Sequence, residues 1–351
     1  PQGEFTGRVL VAAPGGLSVP TIPALPGLGD FKGKVMHSAE WDSGYALAGK
    51  RVAVIGTGAS AIQIVPAIAP LASELKVFQR TPPWIQPRRD RPITALEKFL
   101  LRWAPPLQWL YRLAIFLQHE FRLVYFAHAK LMQFGHAAAL KNMHAIIADP
   151  QLRAKLTPNY VMGCKRVLVS DDYYPALTRP NVELITTGIR TLTPTGIRTH
   201  DGGLHEVDCI VFGTGFQVTE NPNNGIVHGR GGQSLVEAWR DSGEEAYLGT
   251  LVKNFPNLFL MVGPNAGTGH NSIVYVCEQQ ARFIVRLLRL MRARGATTLE
   301  VKPAVQDAFN TWAQDWFRNS VWGSGCKSWY QNRHGKVIAI WPGYSYQRGT
   351  G

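Results

Sequence analysis

The stretch KRVAVIGTGASA, residues Lys50–Ala61, runs from an apolar segment straight into a glycine turn. Lys50–Ile55 is apolar and β-branched without strict alternation, the pattern of a strand buried on both faces. Gly56-Thr57-Gly58-Ala59-Ser60-Ala61 closes it, Ser60–Ala72 reads as a helix, and Leu75–Phe78 (LKVF) as the next strand. That order is a β-α-β unit with a crossover of ordinary length. The first glycine permits the tight turn, and the second lets backbone N–H groups approach a pyrophosphate. The third position must be small so that helix and strand can pack, which Ser60 or Ala61 satisfies. The pyrophosphate then rests on the helix N-terminus, where unpaired N–H groups and partial positive charge favour an anion. The flanking strands and helix carry this reading, because a turn that binds nothing can hold the same glycines.

The second strand sets the choice of nucleotide. An acid at its end would accept the ribose diol of NAD; here the run is Val77-Phe78-Gln79-Arg80-Thr81. Arg80, 24 positions after Gly56, offers a charge-assisted fork to a 2′-phosphate, and the Thr81 hydroxyl adds a donor. NADP(H) is therefore expected over NAD(H). An exposed surface arginine is the plainer alternative for Arg80.

Outward from this core, Arg8–Ala13 (RVLVAA) reads as another buried strand, closed by Pro14-Gly15-Gly16. The chain has no initiator Met and is expected to begin in the middle of a fold. Val19–Asp30 is rich in Pro and Gly and is expected as an extended linker. Ala95–Ala148 reads as a helical insertion dense in aromatics. It is either packed on the sheet, or an apolar substrate entrance or membrane-surface contact. Its uncharged runs, Leu113–His119 among them, fall well short of the roughly 20 apolar residues that span a bilayer. Short strands follow at Val182–Ile185, Gly196–Thr199, Glu206–Phe212 and Leu258–Val262, then a long helix over Asn271–Ala293.

Composition narrows the function. Of 351 residues, 45% are hydrophobic and 17% charged, which excludes a disordered chain. The net charge of +13 comes from Lys and Arg scattered along the chain, so phosphate-bearing cofactors are expected and nucleic acid is not. Pro1–Arg8 has no secretion signal. The four cysteines, Cys164, Cys209, Cys277 and Cys326, form no CxxC or CxxH pair. They read as reduced thiols in a cytoplasmic protein, with no metal site and no dithiol redox motif.

Phe31-x-Gly33-xxx-His37-xxx-Trp41-Asp42 resembles the fingerprint of type I Baeyer–Villiger monooxygenases, and the related flavin-containing monooxygenases have another aromatic where Trp41 stands. Gly163-Cys164-Lys165-Arg166, Asp171-Asp172-Tyr173-Tyr174-Pro175, Gly213-Thr214-Gly215-Phe216 and Gly263-Pro264-Asn265 are similar to segments of the same superfamily. Cys326-Lys327-Ser328-Trp329-Tyr330 and Trp341-Pro342-Gly343 resemble its 4-hydroxyacetophenone-monooxygenase-like branch.

The resemblance covers nearly the whole chain and implies an α/β fold of two Rossmann-like domains, for FAD and NAD(P), with a helical insertion at 95–148. It implies an NADP unit at 45–205, with FAD-domain parts at 1–44 (including the linker) and 206–351. It implies FAD and NADPH as cofactors, O2 as co-substrate, and an apolar ketone converted to an ester or lactone. Arg166 matches the family's active-site arginine, Lys165 a position near the NADP phosphate, and His37 and Trp41 a linker that couples domain motion to cofactor exchange. Thr214, Gly215, Phe216 and Asn265 match flavin-side positions.

The first glycine motif of the family, for the FAD pyrophosphate, is not found in the chain. Ala13-Pro14-Gly15 also replaces the usual Ala-Thr-Gly. A partial sequence is therefore expected. The alternatives are a flavin-containing N- or S-monooxygenase, or a non-catalytic NADP-binding fragment.

Overall fold

The computed structural model describes residues 3–218 and 222–349; the first two residues of the Pro1–Arg8 start lie outside them. The strands are β1 (Leu10–Ala12), β2 (Lys34–His37), β3 (Arg51–Ile55), β4 (Glu74–Phe78), β5 (Ile85–Gln86), β6 (Leu168–Val169), β7 (Val182–Ile185), β8 (Ile189–Thr193), β9 (Gly196–Thr199), β10 (Leu204–Glu206), β11 (Cys209–Phe212) and β12 (Leu258–Leu260). The helices are α1 (Ala61–Ile68), α2 (Ala95–Trp103), α3 (Pro105–Ala127), α4 (Gln133–Ile146), α5 (Pro150–Leu156), α6 (Tyr173–Leu177), α7 (Leu235–Ala238), α8 (Ile273–Ala293) and α9 (Pro303–Phe317).

The central sheet has the order β2-β11-β3-β4-β7, and every neighbouring pair in it is parallel. Val52, Ala53 and Val54 of β3 are fully buried, as an apolar strand covered on both faces must be. One face packs against α1 and α6 through Ile62, Val65, Tyr173 and Leu177. The other is covered by the antiparallel meander β8-β9-β10 through Leu192 and Ile197. The chain leaves β3 through α1 to β4 on one side, while β11 lies on the other side. This is the topological switch point of an open sheet, where ligands bind at the carboxyl ends of the strands.

The boundaries drawn at 44/45 and 205/206 do not follow this sheet. β2 and β11, which the sequence reading assigned to flanking units, pair with each other and, through β11, with β3. The expected single strand over Glu206–Phe212 is also broken. The Asp208 carboxylate turns to grip Arg51, accepting from its backbone N at 2.9 Å and from its guanidinium at 2.9 Å. Gly33 explains part of the Phe31-x-Gly33 spacing: a Cβ there would lie 2.5 Å from the Asp208 carbonyl oxygen and 2.5 Å from the Phe31 ring.

A second, smaller parallel pair joins β1 to β12, with α8 packed nearby through Ile284 against Phe259. The linker expected to be extended over Val19–Asp30 is so at its start, where Val19 accepts from Gln217 N and Thr21 N donates to the Gly215 carbonyl, but it ends in a short 3-10 helix over Leu28–Asp30.

The helical insertion is only partly core. α4 buries Ala139 and Met143, but α2 buries nothing, and α3 buries only Glu120 and Leu123. Leu96, Phe99, Trp103 and Trp109 are exposed. A helical spacing of apolar residues does not say what lies opposite them. Among the described residues no helix is long and apolar enough to cross a membrane.

The cysteines also differ from the expected reduced set. Cys164 and Cys326 form a disulfide across a sequence separation of 162, while Cys209 and Cys277 are free. No local spacing signals a pair brought together by two distant loops.

Candidate nucleotide-binding active site

Two glycine turns meet at the carboxyl edge of the sheet. Gly56 leaves β3 at φ +115, in the region that favours glycine. A Cβ on it would stand 2.5 Å from the Gly213 carbonyl oxygen, because Gly213 leaves the neighbouring β11 at the same height. Gly213 in turn faces Ala61, whose Cβ lies 3.1 Å from where its own would be. Of the two small residues considered for the third position, Ala61 is the one that packs. Nothing stands within 4 Å of the Cβ position of Gly58, so the backbone there is open.

The helix N-terminus behind this turn is uncapped: Ser60 has helical φ/ψ and makes no side-chain cap. Ile62 N and Gln63 N already donate to the Gly58 and Ser60 carbonyls, so the Ala61 N–H and the glycine turn before it are the backbone that suits an anion. Thr57 does not face outward. It is buried, and its hydroxyl donates to the Thr81 carbonyl at 3.1 Å, tying the glycine turn to the end of β4.

Past β4, the buried Gln79 carboxamide donates to the Lys155 carbonyl at 2.7 Å. Arg80 projects into solvent beyond it and Thr81 is half-buried. The loop carrying Lys165 is brought alongside by Trp84. Its indole N–H donates to the Tyr160 carbonyl at 2.8 Å, and its ring stacks on His136 at 4.7 Å. The Lys165 ammonium lies 4.9 Å from the centre of the Tyr160 ring, a cation–π contact. Burial holds that ammonium below the ordinary lysine range, and the positive charge of Arg80 pushes it in the same direction. Two cations thus share one field at the end of β4, where a 2′-phosphate would lie.

Arg166, next along, is exposed and makes no ion pair among the described residues. Its charge reaches Tyr330, whose hydroxyl burial pushes up to about 12. The Cys164–Cys326 disulfide lies directly before the Lys165-Arg166 pair.

On the other side of the glycine turns, His37 ends β2 and is buried. Its Nδ1 accepts from Ala39 N at 3.1 Å, while its buried Nε2 has no partner. Phe216 meets it edge-on, ring centres 5.7 Å apart. Thr214 donates its hydroxyl to the Thr21 carbonyl, and Gly215 has open space where a Cβ would stand. Trp41 is 39% exposed on the turn after β2, beside the Lys34–Asp42 ion pair. Asn265 is buried, and its carboxamide donates to the Val337 and Ile340 carbonyls at 2.8 and 2.9 Å. That side chain is engaged in holding the loop.

The structure therefore brings together Gly56–Ala61 with Gly213, Arg80 with Lys165, and His37 with Phe216. Tyr160 and the cystine were missed from sequence, and Tyr330 was read there only as part of a family segment. Only the adjacency of Cys164 to Lys165 hinted at them.

Residues 7–97 match the flavin-binding monooxygenase-like family model. The chain is 46% identical over 350 residues to a Baeyer-Villiger monooxygenase of Pseudomonas aeruginosa, covering 99% of this chain and 66% of that protein. It is 38% identical over 343 residues to an uncharacterized monooxygenase of Mycobacterium bovis, covering 97% of this chain and 68% of that one. The solved structure of OTEMO in complex with FAD and NADP superposes with a TM-score of 0.85 at 27% identity, over 98% of this chain and 72% of its own. The chain belongs to the superfamily of type I Baeyer–Villiger and flavin-containing monooxygenases. It spans 66% of the length of the Pseudomonas relative.

Proposed function

We propose that this chain forms the NADP(H)-binding and arginine-bearing part of a cytoplasmic, FAD- and NADPH-dependent Baeyer–Villiger monooxygenase. Its substrate is an apolar ketone, oxidised with O2 to an ester or lactone. The observation that carries the reading is the glycine turn Gly56–Ala61 at the switch point of a parallel sheet, tied by Thr57 to the end of β4 beside Arg80, with the Lys165 ammonium in the field of Arg80. The unit proposed to bind NADP(H) is the one built on that five-stranded sheet.

The residues present fit the nucleotide. The Gly56 and Gly58 backbone and the α1 N-terminus would hold its pyrophosphate, and Arg80 with Lys165 its 2′-phosphate. On the flavin side, the unpartnered His37 Nε2 and the open backbone at Gly215 are the polar groups on offer. FAD, when bound, supplies the electron transfer and O2 activation that no side chain here can provide. Arg166 remains charged at any working pH, so it can hold the negative charge that develops on the ketone oxygen during addition. The exposed face of α2 and α3 is the proposed place for a peripheral membrane contact.

The test uses the full-length enzyme that contains this chain, loaded with FAD and given NADPH, a panel of apolar ketones and 18O2. The expected result is an ester or lactone carrying one labelled oxygen. NADPH oxidation that yields only hydrogen peroxide with every ketone, together with oxygenation of amines or sulfides, contradicts the assignment.

A further inference from the structure

We propose that the Cys164–Cys326 disulfide is a redox-sensitive latch that positions Lys165 for the 2′-phosphate of NADP(H). The proposal rests on the nucleotide reading above.

The latch is placed where the backbone itself is little held, after the anchors that Trp84 and Tyr160 supply. Cys164 donates its backbone N–H to Val161, and the next backbone anchor is Leu168 N on the Trp84 carbonyl at 2.9 Å. Among the described residues, Lys165, Arg166 and Val167 make no backbone hydrogen bond between those points. On the partner side, Ser324 N donates to Val321, and the chain is not tied again until Tyr330 N meets the Ser328 hydroxyl at 3.3 Å. Two irregular segments, 162 residues apart, are therefore joined at the residue immediately before Lys165. Their Cα atoms, 6.3 Å apart, are within the span a disulfide bridges.

What the latch resists is electrostatic. Arg80 and Lys165 repel each other in the absence of a phosphate, and the tether at Cys164 together with the Tyr160 ring, 4.9 Å from the Lys165 ammonium, opposes that repulsion. Holding the like charges together before the anion arrives is preorganisation, and its loss appears as lost affinity.

The same surroundings make the bond open to exchange. Cys164 is buried but Cys326 is half-exposed, so an incoming thiolate can attack Cys326 Sγ. Cys164 then leaves as a thiolate, and Lys165, Arg166 and Lys327 are the cations nearest along the chain to stabilise it. The co-reactant is a dithiol. Its first sulfur forms a mixed disulfide with Cys326 and its second displaces Cys326. The dithiol gives up two electrons and two protons and is itself oxidised to a disulfide, leaving two protein thiols.

The test measures NADPH and NADH affinity by titration on the purified chain, untreated and after dithiothreitol, with thiols counted by alkylation and intact mass. The untreated chain should alkylate at Cys209 and Cys277 only, and the reduced chain at all four cysteines. Reduction should weaken NADPH about three- to tenfold and leave NADH within a factor of about two. Cys326→Ser should match the reduced protein and ignore the dithiol. Should that variant not fold, the dithiol titration and reoxidation of the unmodified chain give the same comparison. Four alkylated cysteines in the untreated chain, or an NADPH affinity indifferent to reduction, overturn the latch. Failure of both nucleotides to bind in either state overturns the nucleotide reading itself, and the latch with it.

Discussion

In the proposed site, Arg80 and Lys165 serve the same phosphate from different parts of the sequence. Arg80→Ala should weaken NADPH by roughly 1.5–3 kcal/mol, the worth of a charged hydrogen bond, with NADH unaffected. Calorimetry on the two nucleotides checks this, and an unchanged preference would remove Arg80 from the site. Lys165 adds a pH dependence. Its free-state pKa lies below the ordinary lysine value because of burial and the Arg80 charge, and a bound dianion favours its protonated form. NADPH affinity should therefore fall as pH rises through that lowered pKa, at a lower pH than an ordinary lysine would give, while NADH affinity stays flat. In the full-length enzyme, Arg166→Ala should leave flavin reduction by NADPH intact and abolish the oxygenated product; persistent ester formation removes Arg166 from catalysis. The position of Arg80 was legible in sequence because it lies just past the end of β4, after Gln79. Lys165 was legible only by resemblance, since its place beside Arg80 depends on Trp84 and Tyr160 holding a distant loop.

Among the elements, the β3–turn–α1 unit was the most legible, since its pattern is local. Its tolerance is low. Gly56→Ala puts a Cβ at φ +115 within 2.5 Å of the Gly213 carbonyl and should destabilise the fold by about 2 kcal/mol or more, read by chemical denaturation. A stability loss under about 0.5 kcal/mol would mean that the turn can relax. The placement of β2 and β11 in the same sheet was not legible, because strand pairing across more than a hundred residues leaves no local trace. The insertion shows a similar limit. Its apolar spacing suggested packing, yet α2 buries no residue and presents Leu96, Phe99 and Trp103 to solvent. Leu96→Gln with Phe99→Gln should accordingly change stability by no more than about 0.5 kcal/mol each and leave NADPH binding untouched. A large loss of Tm would show that this face is covered.

For the molecule as a whole, the fold brings the carboxyl edge of one sheet, the Lys165-Arg166 loop and the C-terminal aromatic segment around Trp322 and Tyr330 together. The composition gave a net charge of +13 with no basic tract, and the structure places two of those cations at the end of β4. Binding of NADPH should therefore weaken with ionic strength more steeply than binding of NADH, which lacks the 2′-phosphate. The disulfide could not be read from the four cysteine positions, since loop closure over that distance is a property of the folded chain.

The central claim is that this edge recognises a 2′-phosphorylated dinucleotide. The most direct measurement is the pair of dissociation constants for NADPH and NADH on the purified chain and on Arg80→Ala. The account predicts NADPH bound at least about tenfold more tightly by the unmodified chain, and that preference cut by about tenfold or more in the variant, with any remainder carried by Lys165. Equal constants in the unmodified chain would contradict it.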